Sequence, residues 1–138
     1  MRLTNINGKL VSKNVTKYLI DWRKKSRSKV QTKVKRFLQA YWKNQTVYEE
    51  FPVFGSKMKV DFLNTTLKVA IEVQGKQHRQ FNPFFHSNSR AKFLSSIKRD
   101  LEKASWLEEN NFKLVEVEEE QVNDLSKEFF EKQFKIKL

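Results

Sequence analysis

The sequence predicts a mixed α/β domain, and three observations carry that prediction. Residues 12–25 and 30–41 place apolar side chains at helical spacing. Between 46 and 74, three short runs alternate apolar with polar residues at period two. A long helical stretch, one more strand and a last helix follow. The order is therefore helix, helix, strand, strand, strand, helix, strand, helix, which brings all strands into one mixed sheet. A chain of 138 residues can bury one core and is short for two domains.

Each element has its own justification. Residues 1–11 carry little pattern beyond the turn implied by Gly8. From Ser12, the residues Val15, Tyr18, Leu19 and Trp22 fall at i, i+3, i+4 and i+7, so an amphipathic helix is expected, capped by Ser12 or Asn14. Residues 24–29 then break the pattern with Ser26 and Ser28. A second helix then sets Val30, Val34, Phe37, Leu38 and Tyr41 on one stripe over three turns and closes at Lys43 and Asn44. Residues 46–53 read as a strand, with Pro52 near its end and Gly55 marking the next turn. Residues 57–74 form a hairpin about an Asn64-Thr65-Thr66 turn.

Residues 75–90 are expected to be a loop, because Asn82-Pro83 excludes a helix there. Structureless loops of that length tend to be functional. The third helix covers about 90–110, with Phe93, Ile97, Leu101, Ala104 and Leu107 inward. A strand over 112–117 and a final helix with Val122, Leu125 and Phe129 inward complete the chain.

Charge points to the partner. Of 28 basic residues, fifteen lie within 1–60, where the acids are only Asp21, Glu49 and Glu50. That half carries the whole formal net charge of +12, while 61–138 balances. A one-sided basic surface implies a polyanion, most economically double-stranded DNA. A helix kept basic for solubility is the plainer alternative. Arg23, Lys24, Lys25, Arg27, Lys29, Lys33, Lys35 and Arg36 are the densest cations and the first candidates for phosphate contact. In the 75–90 loop, Phe81, Phe84 and Phe85 lie among Lys76, Arg79, His86 and Arg90, and apolar wedges among cations can enter a groove or a base step. At least one of those phenylalanines is expected to close over the core instead.

The absence of cysteine removes disulfides and thiolate metal sites and fits a reducing compartment. No apolar run approaches 18 residues, and the first residues lack the apolar segment of a secretory signal, so no membrane partner is expected and the localisation expected is cytoplasmic.

The hairpin carries the chemistry. Asp61 on its first strand can come beside Glu72 on its second, and Gln74 shares a face with Glu72 because strand side chains repeat every two residues. Two carboxylates at one end of a small sheet suit a hard divalent cation. An ordinary half-exposed strand shows the same alternation. Glu49 and Glu50, on the preceding strand, are both able to join the acids.

This order, with an acid on the second strand and Ile71-Glu72-Val73-Gln74 on the third, resembles the PD-(D/E)XK nuclease core. Within that superfamily it is most similar to the small endonucleases related to very-short-patch mismatch repair enzymes, a group that includes some phage homing endonucleases. The resemblance covers about residues 28–118, carried by Asp61, Glu72, His78, Lys98-Arg99-Asp100 and Lys103. Residues 1–27 then read as a basic N-terminal extension bearing the extra helix, and 119–138 as a C-terminal helix.

The resemblance implies a restriction-endonuclease-like αβββαβ core and a DNA endonuclease. Asp61 and Glu72 would hold Mg²⁺, for which Mn²⁺ would substitute. His78 would serve as general base or metal-proximal group, with Asp100 joining the site and Lys103 within reach of a phosphate. The setting implied is a bacterial or phage-infected cell, and the role implied first is a phage homing endonuclease, ahead of a repair nickase or a restriction-type nuclease. The chain departs from the pattern twice. The usual lysine two residues after the glutamate is Gln74, which can orient water but brings no charge; Lys76 or His78 are the substitutes in reach. The usual glutamate near the start of the first core helix is represented by Gln31. These departures keep a non-catalytic basic DNA-binding protein of the same fold alive, alongside a Holliday-junction resolvase. Double-strand cleavage would need a homodimer or two sequential visits.

Overall fold

The computed structural model describes residues 1–74 and 90–138. The fold is mixed α/β, built on a four-stranded sheet. Strands β1 (Arg2–Thr4) and β2 (Leu10–Ser12) form a separate small hairpin. Helix α1 (Lys29–Trp42) precedes three strands, β3 (Val47–Pro52), β4 (Lys59–Asn64) and β5 (Val69–Gln74). Helix α2 (Arg90–Glu109), strand β6 (Lys113–Glu118), a 3-10 turn (Glu119–Asp124) and helix α3 (Lys127–Phe134) follow. The sheet order is β3-β4-β5-β6, antiparallel except for the parallel pair β5–β6. That parallel pair is what makes α2 necessary, since parallel neighbours need a crossover connection.

Both faces of the sheet are covered. On one, Val34, Leu38 and Trp42 of α1 pack with Phe62, Val69, Ile71, Val115, Val117, Val122 and Phe130. On the other, Trp106 and Leu107 of α2 pack with Phe51, Phe54, Val60, Leu63 and Ala70 and with Leu3 and Val15 of the N-terminal segment. A sheet sandwiched in this way hides nearly every residue of its central strands, and β4 and β5 are buried along almost their whole length.

Helix α1 follows the expected stripe because its start is well specified. Ser28 caps it, its hydroxyl oxygen accepting from the Gln31 amide at 3.0 Å. Helix α2 departs from expectation. Leu107 is buried as expected, but Leu101 is 66% exposed, and it is Trp106 that shares the packed face with Leu107. The Trp106 indole N–H donates to the Thr4 carbonyl at 2.7 Å, while Thr4 N–H donates to Asn110 Oδ1 at 2.9 Å. These bonds stitch the N-terminal hairpin to the end of α2 and fix which side of α2 faces the sheet.

The expected helix over 12–25 does not form. The segment ends β2, makes one 3-10 turn (Thr16–Tyr18) and runs on as an irregular strap with a further turn at Asp21–Lys24. Asn14 and Asp21 each accept a hydrogen bond from a backbone N–H two residues on, an alternative that competes with helix. Tertiary packing then decides. Val15 enters one core whereas Ile20 and Trp22 lie against the other, so the strap wraps the edge of β3, where Ile20 N–H donates to the Val47 carbonyl at 3.0 Å. A helix with a single apolar stripe could not reach both cores. The strap also shields an edge strand that would otherwise offer unpaired backbone groups. The last helix is likewise divided, Ser126 capping α3 separately, and Phe130 is buried where Phe129 was expected.

The turn of the N-terminal hairpin is seated against the β3–β4 loop. Ile6 N–H donates to the Phe54 carbonyl at 2.9 Å, and Gly55 adopts φ +89°. A methyl group on Gly55 would lie 3.1 Å from Ile6 Cγ1 and 3.3 Å from the Asn5 Cβ. Gly8 has a similar φ of +82° with open space around it. Gly8→Ala should therefore show the backbone cost alone, about 1 kcal/mol, and Gly55→Ala distinctly more. Urea unfolding of the two variants checks this; equal losses would mean the hairpin is not packed as described.

Candidate active site

The site forms where β4 and β5 part. Their backbone register runs Asn64↔Val69, Leu63↔Ala70 and Phe62↔Ile71, while β5 stays paired with β6 as far as Gln74↔Glu118. At the next position side chains replace the ladder. Asp61 N–H donates to Glu72 Oε2 at 2.9 Å, and Val73 N–H donates to Asp61 Oδ2 at 2.8 Å. Each acid thus satisfies the backbone of the opposite strand and holds the two strands open. Both are buried, and the sequence-based expectation that they come side by side is met. Gln74 lies buried one pleat further along β5.

The neighbouring strand is shaped to the same end. Glu50 has φ +52°, a left-handed conformation uncommon for a residue with a side chain. It inverts the strand alternation, so that Tyr48 and Phe51 enter the same core while Glu49 and Glu50 both turn toward α1. The matching break on β4 falls at Asp61: Val60 and Phe62, two residues apart, lie in opposite cores. The period-two alternation expected between 46 and 74 is therefore broken at the site itself.

Gln31 explains its own presence. Its side-chain amide donates to Glu49 Oε2 and to Glu50 Oε1, both at 3.1 Å. A glutamate at 31 would set a third carboxylate against two others in place of their amide donor. Glu49 is further held by the Ser26 hydroxyl and by Lys35 Nζ at 2.8 Å. Lys35 is 2% exposed, which removes it from the candidate phosphate contacts. Glu49 and Lys35 are thus structural partners, and Glu50 is the glutamate that reaches toward the acid pair. Arg27 lies between them, 3.4 Å from Glu50 Oε1 and 3.6 Å from Asp61 Oδ1. On the far side Lys103 of α2 pairs with Glu72 Oε1.

Charge balance at Asp61 is incomplete. Burial, then the Glu72 carboxylate, raise its pKa from 3.8 to about 7; Glu50 adds to the rise, while the Val73 N–H and Arg27 oppose it. Its proton is therefore held more tightly in the folded protein than in the unfolded chain.

Arg27 and Lys103, the cations paired with the two acids, line an open cleft of about 380 Å³ together with Lys57, Met58, Lys59, Ser96, Arg99 and Asp100. Ser96, Arg99, Asp100 and Lys103 fall at i, i+3, i+4 and i+7 on α2, which turns one helix face into a wall. Asp100 and Lys103 were among the expected site residues. Lys57, Lys59 and Arg99 were not assigned to it, because nothing in their sequence neighbourhood reveals that the start of β4 lies opposite α2. A second cleft, of about 440 Å³, is lined by Lys25, Ser26, Arg27, Ser28, Lys29, Thr32 and Lys33. Arg23, Lys24, Arg36 and Arg90 are exposed. Lys76, His78, Arg79, Phe81, Phe84, Phe85 and His86 lie outside the described residues. Among those described, no group of three or more His, Cys, Asp or Glu side chains is placed to hold a metal ion, and no helix is long and apolar enough to cross a membrane.

Two outcomes follow for stability. Since the pKa of Asp61 is raised on folding, this group's contribution to stability falls as pH rises from about 3.8 to about 7. Asp61→Asn keeps an acceptor for the Val73 N–H and removes the charge. The variant should gain on the parent across that range, by about 2 kcal/mol at pH 8, in urea titrations at pH 4 and pH 8. A gain independent of pH would contradict the raised pKa. Lys35→Met should cost about 3 kcal/mol, because it strands Glu49 without its buried cation.

Comparison with known proteins adds kinship but no activity. No family model matches the chain, and no solved structure does. It is 31% identical over 95 residues to "Uncharacterized protein 033L" of Invertebrate iridescent virus 3, covering 65% of this chain and 48% of that protein. Over 66 residues it is 33% identical to "Uncharacterized protein 094L" of Frog virus 3, covering 48% and 43%. Over 60 residues it is 37% identical to "Uncharacterized protein 307L" of Invertebrate iridescent virus 6, covering 44% and 30%. The chain thus matches less than half the length of each of these viral proteins.

Proposed function

We propose that the chain is a virus-encoded, Mg²⁺-dependent DNA endonuclease with a restriction-endonuclease-like core, hydrolysing phosphodiester bonds at Asp61 and Glu72. The observation that carries this reading is the pairing of two buried carboxylates, one with its ionisation opposed by its surroundings, beside a cleft lined by five cations. The cations draw a phosphate backbone in, and the acids sit where a bond in it would be cut.

The donor set fits Mg²⁺. Among the described residues the ligands at the pair are hard oxygens, and Mg²⁺ commonly needs only one or two carboxylates with waters completing its shell. When bound between Asp61 and Glu72, the ion would stabilise charge on the scissile phosphate and make a water more acidic. Arg27 and Lys103, which pair with the acids in the free protein, would turn to the phosphate oxygens. Lys103 thereby supplies from α2 the positive charge that Gln74 lacks. Gln74 orients water through its amide.

The same ion pairs favour a second reading. Arg27 on Asp61 and Lys103 on Glu72 are what a DNA-binding module that had lost cleavage would use to neutralise its acids. A supercoiled plasmid separates the two. The nuclease reading expects nicking with Mg²⁺ or Mn²⁺, none in EDTA, and none with Asp61→Ala or Glu72→Ala. Lys103→Ala should lower the rate about a hundredfold. Binding without cutting in every divalent metal would leave only the module.

A further inference from the structure

From the two cationic clefts and the arginine they share, we infer that the phosphate path across this protein is a continuous track, running from the loop before α1 past Asp61 to the wall of α2. The inference rests on the reading of Asp61 and Glu72 as the place of cleavage and specifies how substrate lies across it. The partner is a DNA duplex long enough to occupy both clefts at once.

The first cleft holds Arg27, Lys57, Lys59, Arg99 and Lys103, with Asp100 its one acid. The second holds Lys25, Arg27, Lys29 and Lys33 with three hydroxyl residues, Ser26, Ser28 and Thr32, and no acid. Arg27 belongs to both linings and reaches Asp61, so the side chain that the two clefts share is also the one that touches the acid pair. Its side chain is 71% exposed despite those contacts, so it can serve a phosphate from either side.

The flanking cations are uncommitted. Among the described residues, Lys25, Lys29, Lys57, Lys59 and Arg99 enter no ion pair, and Lys33 meets only the neutral Asn123 Oδ1 at 3.4 Å. All six are exposed. Cations with carboxylate partners would be neutralised before a polyanion arrived. These retain their full charge, which is what neutralising successive phosphates requires. Lys35, three residues from Thr32 and of the same charge, is buried against Glu49 instead. The sorting of lysines on α1 into one structural and several free ones is therefore a property of the fold, not of composition.

Three charge-removal sets test the track on 20–30 base-pair duplex DNA in EDTA, where no cutting intervenes. One set is Lys25→Gln, Lys29→Gln and Lys33→Gln. The second is Lys57→Gln, Lys59→Gln and Arg99→Gln. The control is Lys43→Gln, Lys68→Gln and Lys113→Gln, exposed cations at the far ends of α1, of the β4–β5 hairpin and of β6. Binding is measured across a salt series for each. Each lost phosphate contact should take about 0.9 from the slope of log K against log salt, so both track sets should flatten it by about 2–3. Each should also weaken binding at least tenfold at moderate salt, with the control near the parent.

A first set that binds like the parent overturns the track and leaves a single cleft. A control that weakens binding as much as either track set reduces the effect to net charge and also overturns it. Circular dichroism of each set shows that the fold is retained, as exposed substitutions predict. Plasmid nicking by the parent is scored separately. If it never cuts, the endonuclease reading falls while the salt slopes still judge the track.

Discussion

Carboxylate oxygens standing in for backbone carbonyls hold β4 and β5 apart, and the rest of the structure is arranged around that substitution. At Asp61 and Glu72 the strands stop pairing through the main chain and pair through side chains. This satisfies buried N–H groups that would otherwise be orphaned as the strands diverge. It also brings two negative charges together in a desolvated place. The fold answers with Arg27 from one side and Lys103 from the other. Burial, and after it the Glu72 carboxylate, still raise the pKa of Asp61 against the pull of Arg27. A pair of acids held in this way is costly to stability, and such costs gather at functional sites.

Behind the pair is a buried polar network whose members explain one another. Lys35 holds Glu49, Gln31 spans Glu49 and Glu50, and Arg27 links Glu50 to Asp61. The left-handed backbone at Glu50 is the geometric device that turns two adjacent glutamates to one side. Gln31 is then the neutral donor that lets them coexist. Networks of this kind are stable only when each member is satisfied. This one is anchored at its start by Ser26 on Glu49 and by Ser28 capping α1, the two serines that interrupt the basic run before the helix.

The N-terminal segment performs a task the hydrophobic pattern could not announce. Its apolar residues look helical because they recur at three and four, yet they are spent on two different cores. The strap over β3 and the hairpin pinned to α2 through Thr4, Trp106 and Asn110 together set the orientation of α2. That orientation gives the cleft its wall of Arg99, Asp100 and Lys103.

The sequence by itself determined the core strands, both long helices and the acid pair. The turns at Gly55 and Asn64 and the long stripe of Val34 and Leu38 are local signals that the fold keeps, although the alternation between those turns breaks at Asp61. It also determined that an excess of positive charge lies in the first sixty residues. Only the tertiary structure decided which cations are free, that Lys35 is buried, that Glu50 and not Glu49 faces Asp61, and that Lys57, Lys59 and Arg99 share a cleft. The reason is physical. Local pattern records which face of an element is apolar. The partner of a charge depends on contacts between residues tens of positions apart, and on a single inverted backbone angle that no periodicity encodes.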